Sequence, residues 1–158
     1  ILLNDYFDGE ARDIGQKIAG VVVAHKYQAP CVLLSGGELT VNVKGSGKGG
    51  PNTEFLVALA LELKGAEGVF AIACDTDGTD GSGDNAGAMI APDTLSRART
   101  LGLDPTDTLI RNDAYSFFNI LEYFTFSIYR PNTMRTLVGK GKHTILVDKI
   151  RKTKISIS

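Results

Sequence analysis

An apolar run, Val69–Cys74, drives straight into a loop of unusual composition, Ala73–Gly87. Four carboxylates (Asp75, Asp77, Asp80, Asp84) and four glycines (Gly78, Gly81, Gly83, Gly87) fall within these fifteen residues. A short apolar run bounded by turn residues predicts a buried strand. Glycines allow positive φ and close approach of a ligand or another backbone. Clustered carboxylates repel one another unless a cation, hydrogen-bond donors or water compensates them. Two readings follow: a polar site at the carboxyl end of a strand, where open α/β sheets place ligands, and a solvated loop whose acids cap its own backbone.

The flanking sequence predicts an α/β domain. Helical spacing of Ile14, Ile18, Val21, Val22 and His25 predicts a first helix near 10–26, with Asp8 or a neighbour as its cap and Tyr27–Pro30 as its end. Gly15 and Gly20 weaken that helix by roughly 1 kcal/mol each against Ala, so close packing is the expected reason for both. Cys31–Leu34 reads as a fully apolar strand and residues 39–43 as an alternating one. Between them, Ser35-Gly36-Gly37-Glu38 is either a tight turn or a backbone nest for an anion. Lys44–Gly50 is glycine-rich and carries Lys44 and Lys48. It leads into an apolar helix near 52–64, whose first turn offers unpaired N–H groups. That combination suits a phosphate or carboxylate cradle, and equally a mobile surface loop. The P-loop spacing is absent, and the match of Gly45, Gly47 and Gly50 to the dinucleotide fingerprint lacks its strand and acid context. Further strands are expected near 69–74 and 87–91, helices near 93–101 and 113–121, and a short helix after Asp104-Pro105. His143–Val147 reads as an edge strand within a basic end.

At 158 residues and a formal net charge of -1, the chain fits one domain and carries no signature of a nucleic-acid partner. No apolar run is long enough to span a bilayer. Cys31 and Cys74 sit in apolar runs and read as reduced core thiols of a cytoplasmic protein. The first residues read as the interior of a longer chain rather than a signal peptide.

Four motifs in register, Ser35–Glu38, Gly47–Phe55, Asp75–Gly81 and Asn112–Phe118, together resemble the MOFRL domain, the carboxyl-terminal half of two-domain glycerate 2-kinases often labelled hydroxypyruvate reductases. The resemblance runs from about Gly9 to Phe118. It divides the chain into a MOFRL-like α/β domain, 1–122, and a divergent segment, 123–158, read as an edge strand and basic tail. It implies a three-layer α/β sandwich with a mixed, mostly parallel sheet. It further implies ATP, Mg²⁺ and glycerate bound in a cleft shared with an amino-terminal Rossmann-like domain, the fragment alone being inactive; a homodimer is compatible with it. Transferred residue by residue, Lys48, Asp75 and Asp77 become catalytic, with Asp75 and Asp77 the metal ligands. Ser35, Gly36, Gly37, Glu38, Gly49, Gly50, Asn52, Glu54, Asp80 and Asn112 become substrate or phosphate contacts. Two departures stand out: Pro51 replaces an Arg that many relatives carry, and Thr125–Met134 replaces a Gly/Thr-rich segment. The alternatives are a non-catalytic anion- or protein-binding domain, which those departures favour, and a reductase, which rests on the family label and the weak glycine pattern.

Overall fold

The computed structural model describes residues 1–24, 30–125 and 143–149. In chain order the elements are β1 (Leu2–Glu10), α1 (Ala11–Val23), β2 (Cys31–Thr40), α2 (Pro51–Leu63), β3 (Phe70–Asp75), β4 (Gly87–Ile90), α3 (Thr94–Thr100), α4 (Pro105–Arg111), α5 (Ala114–Leu121), β5 (Phe124–Thr125) and β6 (His143–Lys149). The strands form one sheet in the order β1-β2-β6-β3-β4-β5. The α/β class and mixed sheet are as expected. Four strands (β1, β2, β3, β5) run one way, while β6 and β4 run the other. Among the described residues, the parallel neighbours are therefore β1 and β2 alone. His143–Lys149 is not at an edge: it lies antiparallel between β2 and β3. The position of an apolar strand in a sheet is set by which partners accept its hydrogen bonds, and its own letters do not record that.

Residues 35–38 do not break β2 into two strands. Gly36 and Gly37 continue the ladder, because a Cβ at Gly37 would stand only 2.1 Å from the Phe7 carbonyl oxygen of β1. β1 itself was not foreseen. Its pairing slips twice, between Leu2 and Asn4 and between Asn4 and Phe7, which blurs the alternation that announces a strand. Consequently α1 starts at Ala11, and neither Asp8 nor Glu10 caps it through a side chain. The expected contribution of His25, the helix end at Tyr27, and the basic positions from Arg130 to Lys142 and from Arg151 onward lie outside the described residues.

Helix α2 is the centre of the core. Residues 52–60 are buried without interruption, so the helix is enclosed all round, as its composition predicts. Phe55, Leu56 and Leu59 are wholly inaccessible, each burial stabilising by about 1.5–3 kcal/mol. Small side chains on the facing strands, Ala71, Ala73 and Ala88, leave room for it. The other face of the sheet presents Val32, Leu34 and Met89, 37%, 38% and 40% exposed. Among the described residues, no helix covers them.

The two glycines of α1 separate on inspection. A Cβ at Gly15 would lie 2.7 Å from the Phe55 carbonyl oxygen, so this glycine is what lets α1 rest against α2. At Gly20 a Cβ would meet nothing within 4 Å. Close packing therefore accounts for only one of them. Urea denaturation should show Gly20→Ala stabilising the fold by about 0.5–1 kcal/mol. Gly15→Ala should destabilise it by about 1–3 kcal/mol, as overpacking against backbone does.

Candidate functional site

The carboxyl ends of β2 and β3 lie at one edge of the sheet, aligned through β6: Gly37 and Asp75 both pair with His143. The glycine-rich loop leaves from one of these strands and the acidic loop from the other. The amino terminus of α2 lies between them, and its orphan N–H groups need acceptors. They receive one from inside the protein. Asp80 is fully buried and takes the Asn52 N–H at 2.9 Å and the Asn52 Nδ2–H at 3.1 Å on Oδ1. Its Oδ2 accepts from the Thr53 N–H at 2.9 Å and from the Thr53 hydroxyl at 2.7 Å. An anion is therefore already built into the helix terminus, and its charge meets the positive end of the helix. Asp80 and Asn52, expected as ligand contacts, are engaged with each other.

The glycine-rich loop is similarly committed. Asn112, left-handed at φ 52°, accepts the Lys44 and Gly45 N–H groups on Oδ1, both at 2.8 Å. The Gly47 N–H donates to the Arg111 carbonyl and the Lys48 N–H to Asp113. Gly49 donates to the Ser82 hydroxyl, and Gly50 to that of Thr53. The glycines are there because the loop lies flat on other backbone. A Cβ at Gly45 would stand 2.2 Å from the Arg111 carbonyl oxygen, and one at Gly50 would stand 2.4 Å from the Asp80 carbonyl carbon. The loop's amides thus serve the fold and do not form an open nest. Glu54, nearly inaccessible, joins Arg12 and the Asn112 amide, the latter at 3.0 Å. Glu54 and Asn112 form this internal knot, with Arg12 as its cation.

Ser35 and Glu38 do not share a site. Ser35 is buried on the helix side of β2, its hydroxyl without a hydrogen-bond partner, while Glu38 is exposed on the opposite face. The N–H groups of Gly36 and Gly37 lie within a strand. Asp75, the last residue of β3, and Asp77 make two successive turns: Asp75 accepts the Asp77 N–H at 3.2 Å and Asp77 the Thr79 N–H at 2.9 Å. Both stand at the solvent-facing rim of the acidic loop.

What faces outward at the junction of the two loops is a chain of three side chains. The Lys48 ammonium lies 3.8 Å from the centroid of the Tyr115 ring, and the Tyr115 hydroxyl donates to Asp84 Oδ1 at 2.6 Å. That hydrogen bond is the main cause holding the Asp84 carboxyl below its usual range, and it pushes the Tyr115 phenol up. Asp84 was visible in the acidic loop, but Tyr115 and Arg12 were not singled out as site residues. Their signal was only position within motifs, since neither spacing nor composition links residue 115 to residue 84.

Among the described residues, no three His, Cys, Asp or Glu side chains converge as a metal cage. Mg²⁺ is usually held by one or two carboxylates together with substrate phosphates, and Asp75 and Asp77, rim carboxylates each accepting one backbone N–H, have the donor chemistry for that mode. Nor is any described helix long and apolar enough to cross a membrane.

The MOFRL family model matches residues 31–135. Over 128 residues the chain is 48% identical to a protein of Agrobacterium vitis named for hydroxypyruvate reductase, covering 77% of this chain and 29% of that one. It is 38% identical over 120 residues to a D-glycerate 2-kinase of Thermotoga maritima, covering 73% and 29%. The crystal structure of a Thermotoga maritima glycerate kinase superposes with a TM-score of 0.82 at 29% identity, over 95% of this chain and 36% of that one. The chain thus spans about a third of the length of these relatives.

Asp80→Ala should lower unfolding free energy by about 3 kcal/mol, because it orphans buried donors at the start of α2; chemical denaturation checks this. The Tyr115–Asp84 bond needs a carboxylate and a protonated phenol. It is lost as pH falls through the lowered Asp84 pKa, below 3.8, or rises through the raised Tyr115 pKa, above 10.0. Difference absorbance against Tyr115→Phe should show this phenol ionising above the free-tyrosine range. Asp84→Asn should bring it back down.

Proposed function

This chain belongs to the MOFRL family, and we propose that it forms one side of the active site of a glycerate kinase. The reaction would move the γ-phosphoryl group of ATP onto glycerate in a cleft shared with an amino-terminal Rossmann-like domain. The observation that carries the reading is the convergence at one sheet edge of a loop bearing Lys48 and a loop bearing Asp75 and Asp77. Phosphoryl transfer asks little covalent chemistry of the protein. It asks for positioning and for charge placed where the transferring group develops it.

A hydroxyl oxygen of glycerate would form a bond to the γ-phosphorus as its proton passes to solvent, the bond from that phosphorus to the β-γ bridging oxygen would break, and ADP would leave. Lys48 would set a positive charge against phosphate or carboxylate oxygens, as a compact point charge on a flexible stem. Asp75 and Asp77 would hold Mg²⁺, which when bound supplies neutralisation of the phosphate oxygens. Asp80, Asn52, Glu54 and Asn112 contribute by holding the two loops and the start of α2 in one frame. Gly49 and Gly50 allow the loops to touch, and Gly36 and Gly37 carry β2 toward the edge from which the glycine-rich loop leaves. A soluble cytoplasmic setting accords with this chemistry.

A second reading, a binding domain without catalysis, draws on one observation: the glycine-rich loop has spent its amides internally, and Pro51, the first residue of α2, has no guanidinium to offer. A coupled assay for ADP release from ATP and D-glycerate separates the two. The chain alone should be inactive. Joined to the amino-terminal domain of a family member it should turn over, and Lys48→Ala, Asp75→Asn and Asp77→Asn should each lower kcat/KM by roughly 10²-fold. Unchanged activity in all three variants would remove these roles. No activity in the joined protein, with the domain folded, would favour the binding reading.

A further inference from the structure

We propose that Tyr115 is a positioning residue that aims the Lys48 ammonium, with Asp84 as its anchor; this rests on the reading of Lys48 as the site's anion-binding cation.

Lysine is a poor point charge unless something restrains it, because its four-carbon stem carries about 2 kcal/mol of rotamer entropy. Three contacts hold Lys48, two on its backbone and one on its ammonium, and two of the three come from Tyr115. The Tyr115 N–H donates to the Lys48 carbonyl at 2.9 Å, fixing the two backbones to each other. The Tyr115 ring face then lies under the ammonium, 3.8 Å from its centroid. The third comes from Asp113, which accepts the Lys48 N–H at 3.2 Å on the same oxygen that takes the Ser116 hydroxyl. Asp113, Tyr115 and Ser116 lie at or within the first turn of α5, so one rigid helix start holds both ends of the lysine.

The anchor strengthens the ring. A phenol donating to a carboxylate at 2.6 Å is richer in electron density, and a cation is attracted to that density on the ring face. Asp84 also holds the ring from the acidic loop, so the orientation of Lys48 is tied to the loop that bears Asp75 and Asp77. A Cβ at Gly83 would lie 3.2 Å from the Tyr115 ring, tighter than ordinary van der Waals contact, so the acidic loop comes up against the ring at a glycine. This gives Tyr115 and Asp84 a purpose that the fold alone does not: Tyr115 is half-buried and Asp84 exposed, and neither completes the core.

Two measurements test the proposal. In the 158-residue chain, NMR should find the Lys48 ε-methylene protons shifted upfield by the ring; Tyr115→Phe should keep that shift and Tyr115→Leu should abolish it. In the joined enzyme, Tyr115→Leu should lower kcat/KM roughly five-fold. Tyr115→Phe and Asp84→Asn should fall between it and the unaltered protein. In a Lys48→Ala background Tyr115→Leu should cost nothing further, because its effect passes through the lysine. An equal loss in both backgrounds would overturn the proposal, as would an unshifted Lys48 in the unaltered chain. If Lys48→Ala alone leaves activity intact, the reading of Lys48 fails first, and the absent kinetic effect shows which of the two ideas fell.

Discussion

The arrangement depends on a single buried carboxylate. Asp80 brings a negative charge to the positive end of an enclosed helix and accepts four hydrogen bonds there. Without it, α2 would begin in an apolar interior with donors that water cannot reach, a cost of about 1–3 kcal/mol for each. With it, the acidic loop is pulled down onto the start of α2, and Gly81 and Ser82 come against Gly49. The outer carboxylates then have a floor to stand on. An acidic loop that looked uniform therefore does two unlike jobs: one acid is structural and inaccessible, and others are left at the rim.

That division explains what was legible. The elements with strong periodicity or composition (α1, α2, β3, the short capped helix after Asp104) appear where the residues indicate, since local pattern and tertiary burial agree there. The end of β3 in the acidic loop was also readable, because an apolar run stops abruptly at glycine and acid. The failures share a cause. β1, the continuity of β2 through Gly36 and Gly37, and the central place of β6 all depend on pairing between distant segments. Asp80 could be seen as an acid, but that its partners are Asn52 and Thr53 is a tertiary fact. So is the contact of Tyr115 with Lys48.

The glycines obey the same tertiary constraint. The run from Gly45 to Gly50 invites the idea of a phosphate cradle. In the fold, those positions are where two stretches of backbone would otherwise collide, and their amides already have acceptors. What the loop offers outward is side chains, those of Lys44, Ser46 and Lys48. Membership of the MOFRL family does not by itself locate any chemistry; the internal hydrogen bonds of the loop narrow where it can sit.

The place of β6 has a consequence for how the protein is made. Its partners β2 and β3 bond to it from both sides, and Cys31 pairs with Lys149. During synthesis, then, β2 and β3 wait with unfilled ladders until β6 has been made. Contacts so distant in sequence make folding slow and leave strand edges open in the interval. Any change of sequence in that last strand is felt at the centre of the sheet, in the register that aligns Gly37 with Asp75, and only secondarily at the surface.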